Sequence, residues 1–435
     1  MPSLRLSFAR AVPTQITARA IARRWPMRLR VRSTIQAPMH ASVYSWNRGD
    51  VCLSDPPITG QNEPMISHPS DESFPYHLNE LYFYLTDTCN LRCRHCWIEP
   101  RYLSEGNAIS AIDRELFISI LDQAEPLGTK AVKLTGGEPL LHPQISELLD
   151  IVRQRRFRLT VETNGTLCTP ELAEKIAACE HAFAAVSLDG ADAETHEWVR
   201  GKEGSFTAAV TGIKNLVAVG LHPQIIMTVM RRNQDQMQAV VRLAESVGAG
   251  SVKFNVLQPT ARGRQMHAAG ETIDIKELIS LGKWVDEELS LSTTVPLYFH
   301  QPPSFRSLGK MFSAAAGDGC HCCGILGILG VLADGSYALC GIGATVAEMI
   351  FGHACRDSLK EVWLNSPILN QIRAGLPEQL QGICADCVLK HVCMGSCIAQ
   401  NYYRHRDLWA PFWYCEEAHN QGLFPKTRRR TGKLS

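Results

Sequence analysis

Cys89, Cys93 and Cys96 fall within eight residues, in the order C-x3-C-x2-C. Three thiolates on one short loop can hold three corners of a cubane [4Fe–4S] cluster, whose usual protein complement is four cysteines. The fourth iron is then open to a ligand, and open coordination separates a reactive metal site from a closed structural one. A zinc site would want a fourth Cys or His close by. His95 lies between two of the cysteines and is too cramped to chelate the same ion. Cys89, Cys93 and Cys96 are therefore read both as metal ligands and as the catalytic centre.

Such a loop needs a scaffold, and the flanking chain alternates regularly. Strands are expected at Leu81–Leu85, Ala131–Thr135, Arg158–Glu162, Ala182–Leu188, Gln224–Met230 and Ser251–Leu257. Helices are expected between them, at Asp113–Ala124, Gln144–Arg155, Pro170–Ala178, Ser205–Gly220 and Asp235–Val247, from apolar residues at helical spacing. Short strands alternating with longer helices mean βα units around a parallel sheet. The pattern breaks near Pro259 after about six units, short of the eight of a complete barrel. The unusual residues all follow strands: Cys89 the first, Gly136–Pro139 the second, Thr163–Gly165 the third, Asp189 the fourth. In parallel α/β folds the carboxyl ends of the strands host the active site. The fold class is thus α/β, a partial (β/α)6 barrel followed by a small Cys-rich region.

Composition narrows the class further. With 435 residues the chain has room for two domains, or one large domain and an appendage. The formal net charge of +1 argues against a nucleic-acid-binding stripe. No apolar run reaches the length that spans a bilayer. Of 16 cysteines, 12 cluster in two regions, which suggests metal ligation rather than a disulfide framework. Cys52, Cys168, Cys179 and Cys355 are expected to be buried small apolar residues. Iron–sulfur ligation implies a reducing compartment, so the protein is placed in the cytoplasm. Residues 1–75 are set apart: Met1–Gly49 carry nine arginines and no Asp or Glu. That composition fits an organelle transit peptide, an overextended gene start or a basic tail, and in each case the segment lies outside the catalytic fold. The expected domains are 1–75, 76–300 and 301–435.

The cysteine spacing resembles that of the radical S-adenosylmethionine (radical SAM) enzymes. The resemblance implies that the open iron binds S-adenosylmethionine through its amine and carboxylate, and that reductive cleavage yields a 5′-deoxyadenosyl radical. His95 stands where the family usually has an aromatic residue, and is a candidate adenine contact. Gly136-Gly137-Glu138-Pro139, forty residues after Cys96, resembles the family's GGEP motif, whose carbonyls and Glu138 would accept from the methionyl ammonium. Ser187 resembles the family's contact to the ribose or carboxylate. Arg200 matches the arginine that pairs with that carboxylate, a geometry suited to a guanidinium fork. Leu257 matches an apolar adenine contact.

A second cysteine field follows: Cys320-His-Cys322-Cys323, then Cys340, then Cys384, Cys387, Cys393, Cys397 and Cys415. C-x2-C-x5-C-x3-C followed by a distant Cys resembles the SPASM extension of radical SAM enzymes, which implies two auxiliary [4Fe–4S] clusters and three in all. Cys384, Cys387, Cys393 and Cys415 would hold the distal one. Cys340 and Cys397 would hold the nearer one with two of Cys320, Cys322 and Cys323; Cys323 and Cys320 are preferred and Cys322 stays open. The resemblance implies a ribosomally made peptide or protein as substrate, modified by crosslinking or side-chain oxidation, and a reductant such as flavodoxin or ferredoxin. No nucleic-acid or membrane partner is expected. Gly341 after Cys340 argues against formylglycine formation, since relatives that form it carry an Asp there. A small-molecule enzyme of cofactor or haem biosynthesis is the runner-up, and a non-catalytic iron–sulfur electron carrier is the alternative from another class.

Overall fold

The computed structural model describes residues 76–311 and 323–430. The readings for residues 1–75, including Cys52, and for Cys320 and Cys322 lie outside them.

Six strands form as the alternation requires: β1 (Glu80–Thr86), β2 (Ala131–Gly136), β3 (Arg158–Thr163), β4 (Glu180–Ser187), β5 (Gln224–Val229) and β6 (Ser251–Val256). They pair in that order, every neighbour parallel. Successive side chains on a strand face opposite ways. One set, with Phe83, Leu134, Val161, Val186, Ile225 and Val252, is fully buried in the main core with Phe117, Leu148 and Ile213 of the covering helices. Phe83 and Phe117 meet with ring centroids 4.5 Å apart. The other set faces the barrel interior and is largely polar.

Helices begin where caps allow. α1 (Arg114–Ala124) starts at Asp113, whose carboxylate accepts the Leu116 N–H, and α2 spans Ile145–Gln154. α3 (Pro170–Ala177) has Thr169 as cap and proline in its first turn, where the missing N–H costs nothing. α4 (Ala193–Arg200) was not expected; it is a short helix capped by Asp192, and Arg200 is its last residue. α5 (Ser205–Ala218) and α6 (Met237–Val247) complete the outer layer.

The sheet extends beyond the six strands at both edges. β7 (Leu297–Phe299) adds parallel to β6. β8 (Ile328–Val331) adds parallel to β1, and β9 (Ser336–Ala338) and β10 (Ile350–His353) follow antiparallel. The β8–β9 hairpin turns at the Asp334-Gly335 signal. The result is one ten-stranded sheet. The expected boundary near residue 300 thus falls inside a continuous sheet, and the cysteine-rich region builds onto the barrel's first strand. Among the described residues no helix is long and apolar enough to cross a membrane.

Candidate active site

The cysteine loop is held by the end of α4. The Arg92 N–H donates to the Arg200 carbonyl at 3.0 Å, and the Arg94 N–H to the Val199 carbonyl at 2.9 Å. The last carbonyls of a helix lack intrahelical partners, and the loop supplies two. The approach is close at Gly201, which has φ of +68°, and where a Cβ would lie 2.5 Å from the Arg92 carbonyl oxygen. Leu91 N–H points at Cys89 Sγ at 3.5 Å. Cys89 and Cys93 are buried and pack with Cys96, Leu91 and Tyr102.

The Gly136–Pro139 turn clasps the chain just ahead of this loop. Gly137 N–H donates to the Thr86 carbonyl at 2.8 Å and Glu138 N–H to the Thr88 carbonyl at 3.1 Å. A Cβ at Gly137 would sit 2.2 Å from the Thr88 oxygen, so only glycine allows the approach. The structure adds internal partners to the expected part of Glu138. Its carboxylate is 1% exposed and already accepts from Thr163 Oγ1 at 2.5 Å, Asn164 N–H at 2.8 Å and Leu140 N–H at 3.1 Å. The Glu138 carboxylate therefore ties its own turn to the end of β3. Burial raises its carboxyl pKa, against the pull of those bonds. Asn164 passes the link on: its Nδ2 donates to Asn90 Oδ1, and Asn90 Nδ2 to Thr166 Oγ1, both at 2.8 Å. Asn90 belongs to the cysteine loop, so this chain ties the loop to β3. Pro139 is buried and opens a short 3-10 turn behind the site.

Arg200 has internal partners too. It is 6% exposed, and its Nε makes an ion pair with Asp189 Oδ2 at 2.7 Å, while Nη1 reaches Cys93 Sγ at 3.6 Å. Its charge is thus partly met inside the protein, at the edge of the cleft it lines. Asp189 also contacts His95 Nε2 at 2.9 Å and accepts the Thr228 N–H at 2.8 Å. Burial alone would raise the Asp189 pKa, but Arg200 and His95 hold it well below the usual carboxylate range. The His95 ring is so oriented by Asp189 from within the cysteine loop. Leu257 does not face the cleft. It is fully buried with Val199, Met230 and Met266; it lies just past the end of β6 at Val256, so it does not continue the inward row of Lys253 and Asn255.

These strand ends surround a cleft of about 240 Å³, lined by Cys89, Cys93, Cys96, His95, Gly136, Gly137, Glu138, Ser187 and Arg200, and deeper in by Glu162, Lys253 and Asn255. The last three were missed; polar and charged residues inside central parallel strands, which usually run apolar, were the signal. Burial pushes the thiols up, Cys96 to about 11, and their mutual repulsion adds to it. Such thiols are poor nucleophiles, whereas metal binding deprotonates a coordinating thiol outright. Three soft donors, a glycine cradle and an open cleft fit an iron–sulfur cluster with an exchangeable ligand. Among the described residues no three His, Cys, Asp or Glu groups gather as ligands of a single ion.

The second field gathers in two places. Cys384, Cys387, Cys393 and Cys415 line one small cavity with Ser304 and Phe424. Backbone N–H groups of Phe412 and Leu389 point at Cys384 Sγ and Cys387 Sγ, each at 3.4 Å. Burial raises Cys415 well above the ordinary thiol value, and the Cys384, Cys393 and Cys387 charges add to it. Cys340 is raised first by burial and then by Cys397 and Cys323, so these three neighbour one another. The aromatic tail is core: Trp413 stacks on Tyr414 with centroids 3.5 Å apart, and Tyr414 donates to the Ile273 carbonyl at 2.8 Å. Cys168 and Cys179 are buried as expected, but Cys355 is exposed, at a turn after β10.

A partial parallel barrel with a three-cysteine loop at its carboxyl edge defines the class as a barrel enzyme of iron–sulfur chemistry. Two family descriptions match: the Radical SAM superfamily over residues 83–244, and an iron-sulfur cluster-binding SPASM domain over residues 320–388. The chain is 30% identical to the AdoMet-dependent heme synthase of Methanosarcina barkeri over 342 residues, 76% of this chain and 94% of that protein. It is 29% identical to the mycofactocin maturase MftC of Mycobacterium tuberculosis over 349 residues, covering 79% and 84%. The fold is that of Streptococcus suis SuiB in its crystal structure with the precursor peptide SuiA, with a TM-score of 0.61, 18% identity and coverage of 78% and 76%. The chain belongs to the radical SAM superfamily and carries a SPASM domain. Membership brings iron–sulfur clusters and S-adenosylmethionine as cofactors.

Proposed function

We propose that this enzyme cleaves S-adenosylmethionine reductively and modifies a ribosomally made peptide or protein, by crosslinking or by side-chain oxidation, in a reducing compartment such as the cytoplasm. The observation that carries the reading is the cleft itself: Cys89, Cys93 and Cys96 open onto the same space as Gly136, Gly137, Ser187 and a set of inward polar side chains. An electron carrier has no use for such a space. When bound at the loop, the cluster supplies the electron that splits S-adenosylmethionine into methionine and a hydrogen-abstracting 5′-deoxyadenosyl radical.

The chain's own residues supply the rest. The carbonyls of the Gly136–Pro139 turn accept from the methionyl ammonium, Ser187 reaches the ribose or carboxylate, and His95 orients the adenine side. Arg200 and Asp189 fix the loop and temper the charge on Cys93. Cys384, Cys387, Cys393 and Cys415 hold a distal auxiliary cluster. Cys323, Cys340 and Cys397, with Cys320 as the preferred fourth ligand, hold a nearer one. This makes three [4Fe–4S] clusters, fed by a reductant such as flavodoxin or ferredoxin.

Peptide as substrate is supported by the maturase relatives and by SuiB, solved with a precursor peptide. A second reading, a small-molecule enzyme of haem biosynthesis, is favoured by the span of the match to the heme synthase, 94% of that protein.

The test is anaerobic reconstitution with iron and sulfide, followed by dithionite and S-adenosylmethionine. Release of 5′-deoxyadenosine with about twelve irons per chain, three clusters of four, is the expected result. Full iron with no release, even with candidate peptides or a porphyrin added, would return the chain to the electron-carrier class.

A further inference from the structure

The barrel interior carries charged side chains on several strands. Lys133 Nζ on β2 pairs with Glu162 Oε1 on β3 at 3.0 Å and lies 4.1 Å from the centre of the Tyr82 ring. Glu162 is thereby taken, and Thr135 Oγ1 donates to its other oxygen at 3.4 Å. Lys253 on β6 lines the same cleft but has neither an ion pair nor a hydrogen bond among the described residues. Glu162 therefore acts on both ammonium groups, while Glu80 acts on Lys133 as well. Holding an unpaired ammonium away from water is costly. Burial pulls the Lys253 pKa below its ordinary value and Lys133 adds to the drop, with Glu162 opposing. A charged group kept in a cleft at such a cost is a candidate for ligand binding.

Position adds a second argument. Lys253 shares its cleft with Cys89, Cys93 and Cys96, while the charge of Lys133 is felt at Cys323 and Cys340. The Lys253 ammonium thus belongs to the cleft that opens at the cysteine loop. Its cross-strand neighbour Ile226 is apolar, while Asn255, Thr228 and Ser187 add hydrogen-bonding groups to the same cleft.

We propose that Lys253 is the substrate anchor, taking a carboxylate of the substrate and so placing the residue that bears it beneath the cysteine loop. The proposal rests on the peptide reading for the source of that carboxylate, which is an Asp or Glu side chain or the peptide's own C-terminus. An ammonium–carboxylate contact out of water is a charge-assisted bond of the stronger kind.

Two experiments on the reconstituted holoenzyme, with S-adenosylmethionine saturating throughout, test it. In the first, Lys253 is acetylated with an N-hydroxysuccinimide ester and read by mass spectrometry, with the exposed Lys276 as internal control. Glutarate should slow labelling at Lys253 about fivefold or more, by mass action at the site, while glutaramide and the control stay unchanged. Equal labelling in all arms overturns the anchor. In the second, a pool of short peptides, free-acid or amidated and with Asp/Glu or Asn/Gln, is captured by the holoenzyme. Carboxylate peptides should be enriched, about tenfold less by Lys253→Met, as losing one charged bond implies, with partial recovery in Lys253→Arg. Enrichment lost on amidation identifies the C-terminus, and enrichment lost with Asn/Gln identifies the side chain. Peptides retained without regard to either overturn the anchor but leave the peptide reading standing. Glutarate protection with no peptide retained keeps the anchor and removes the peptide reading.

Discussion

Arg200 and Asp189 meet at 2.7 Å with 8% and 0% of their side chains exposed. The pair joins the last residue of α4 to the loop after β4, and through Cys93 and His95 it reaches the cysteine loop twice. Removing one partner leaves a buried charge uncompensated. Arg200→Met should therefore cost about 3–5 kcal/mol of stability, and the double change Arg200→Met with Asp189→Asn should recover part of it. Anaerobic urea unfolding of the three proteins reads the difference; a double variant no better than the single would mean that the pair acts through packing alone.

His196 gives a pH dependence. Its Nδ1 accepts the Asp189 N–H at 3.2 Å, which requires the neutral ring. Burial and then the Arg200 charge lower its pKa to about 3. An unfolded histidine takes up its proton near pH ~6.5. Between those values the unfolded chain binds more protons than the folded one, so this contribution to stability is lost as pH falls below about 6.5. Asp189, held low in the fold, adds a loss in the same direction at more acid pH. In His196→Asn, whose Oδ1 can still accept the N–H, stability should fall less steeply from pH 7 to 5, by up to about 1.4 kcal/mol per pH unit. Parallel curves for the two proteins would show that the histidine titrates as in the unfolded chain.

Gly137 probes the turn without touching a thiol. A methyl group there would collide with the Thr88 oxygen at 2.2 Å, one residue ahead of Cys89. Gly137→Ala should displace the loop and weaken S-adenosylmethionine binding by about tenfold or more, the scale of a misplaced first contact, while the iron of the second field stays. Equilibrium dialysis with the labelled cofactor and iron analysis separate these effects. Unchanged affinity would mean that the turn is not part of the binding surface.

The two cysteine fields should fail separately. Cys93→Ala is expected to abolish 5′-deoxyadenosine formation. Cys387→Ala is expected to lose about four irons per chain and most substrate turnover, with some uncoupled cleavage left. Should the second variant retain all its iron, the cavity formed with Cys384, Cys393 and Cys415 does not hold a cluster.

The six strands and the placement of unusual residues at their carboxyl ends were legible because each rests on a local signal: alternation, caps, glycine turns and cysteine spacing. β7 was not, because three residues carry no period. α4 was missed because its polar sequence, AETHEWVR, shows little apolar spacing. The internal partners of Glu138 and Arg200 were not legible for another reason. Sequence tells which side chain can accept or donate, but not whether the fold has already satisfied it; Thr163, Asn164 and Asp189 come together with them only in three dimensions. Leu257 has the strand parity of the inward Lys253 and Asn255, but the strand ends at Val256, and alternation does not carry past a strand end. Lys253 was in plain view within Ser251–Val256, yet its lack of a partner is a tertiary property.

The pairing of β8 with β1 has a consequence for both cysteine fields. Ile328, Leu329, Gly330 and Val331 lie rung by rung against Glu80, Leu81, Tyr82 and Phe83. Cys89 leaves that ladder at one strand, and Cys323 and Cys340 flank the other. The two cysteine fields thus grow from neighbouring strands of one sheet, and Gly330 on that ladder approaches so closely that a Cβ there would lie 2.9 Å from the Cys340 Cα. A change in either strand would therefore disturb both fields.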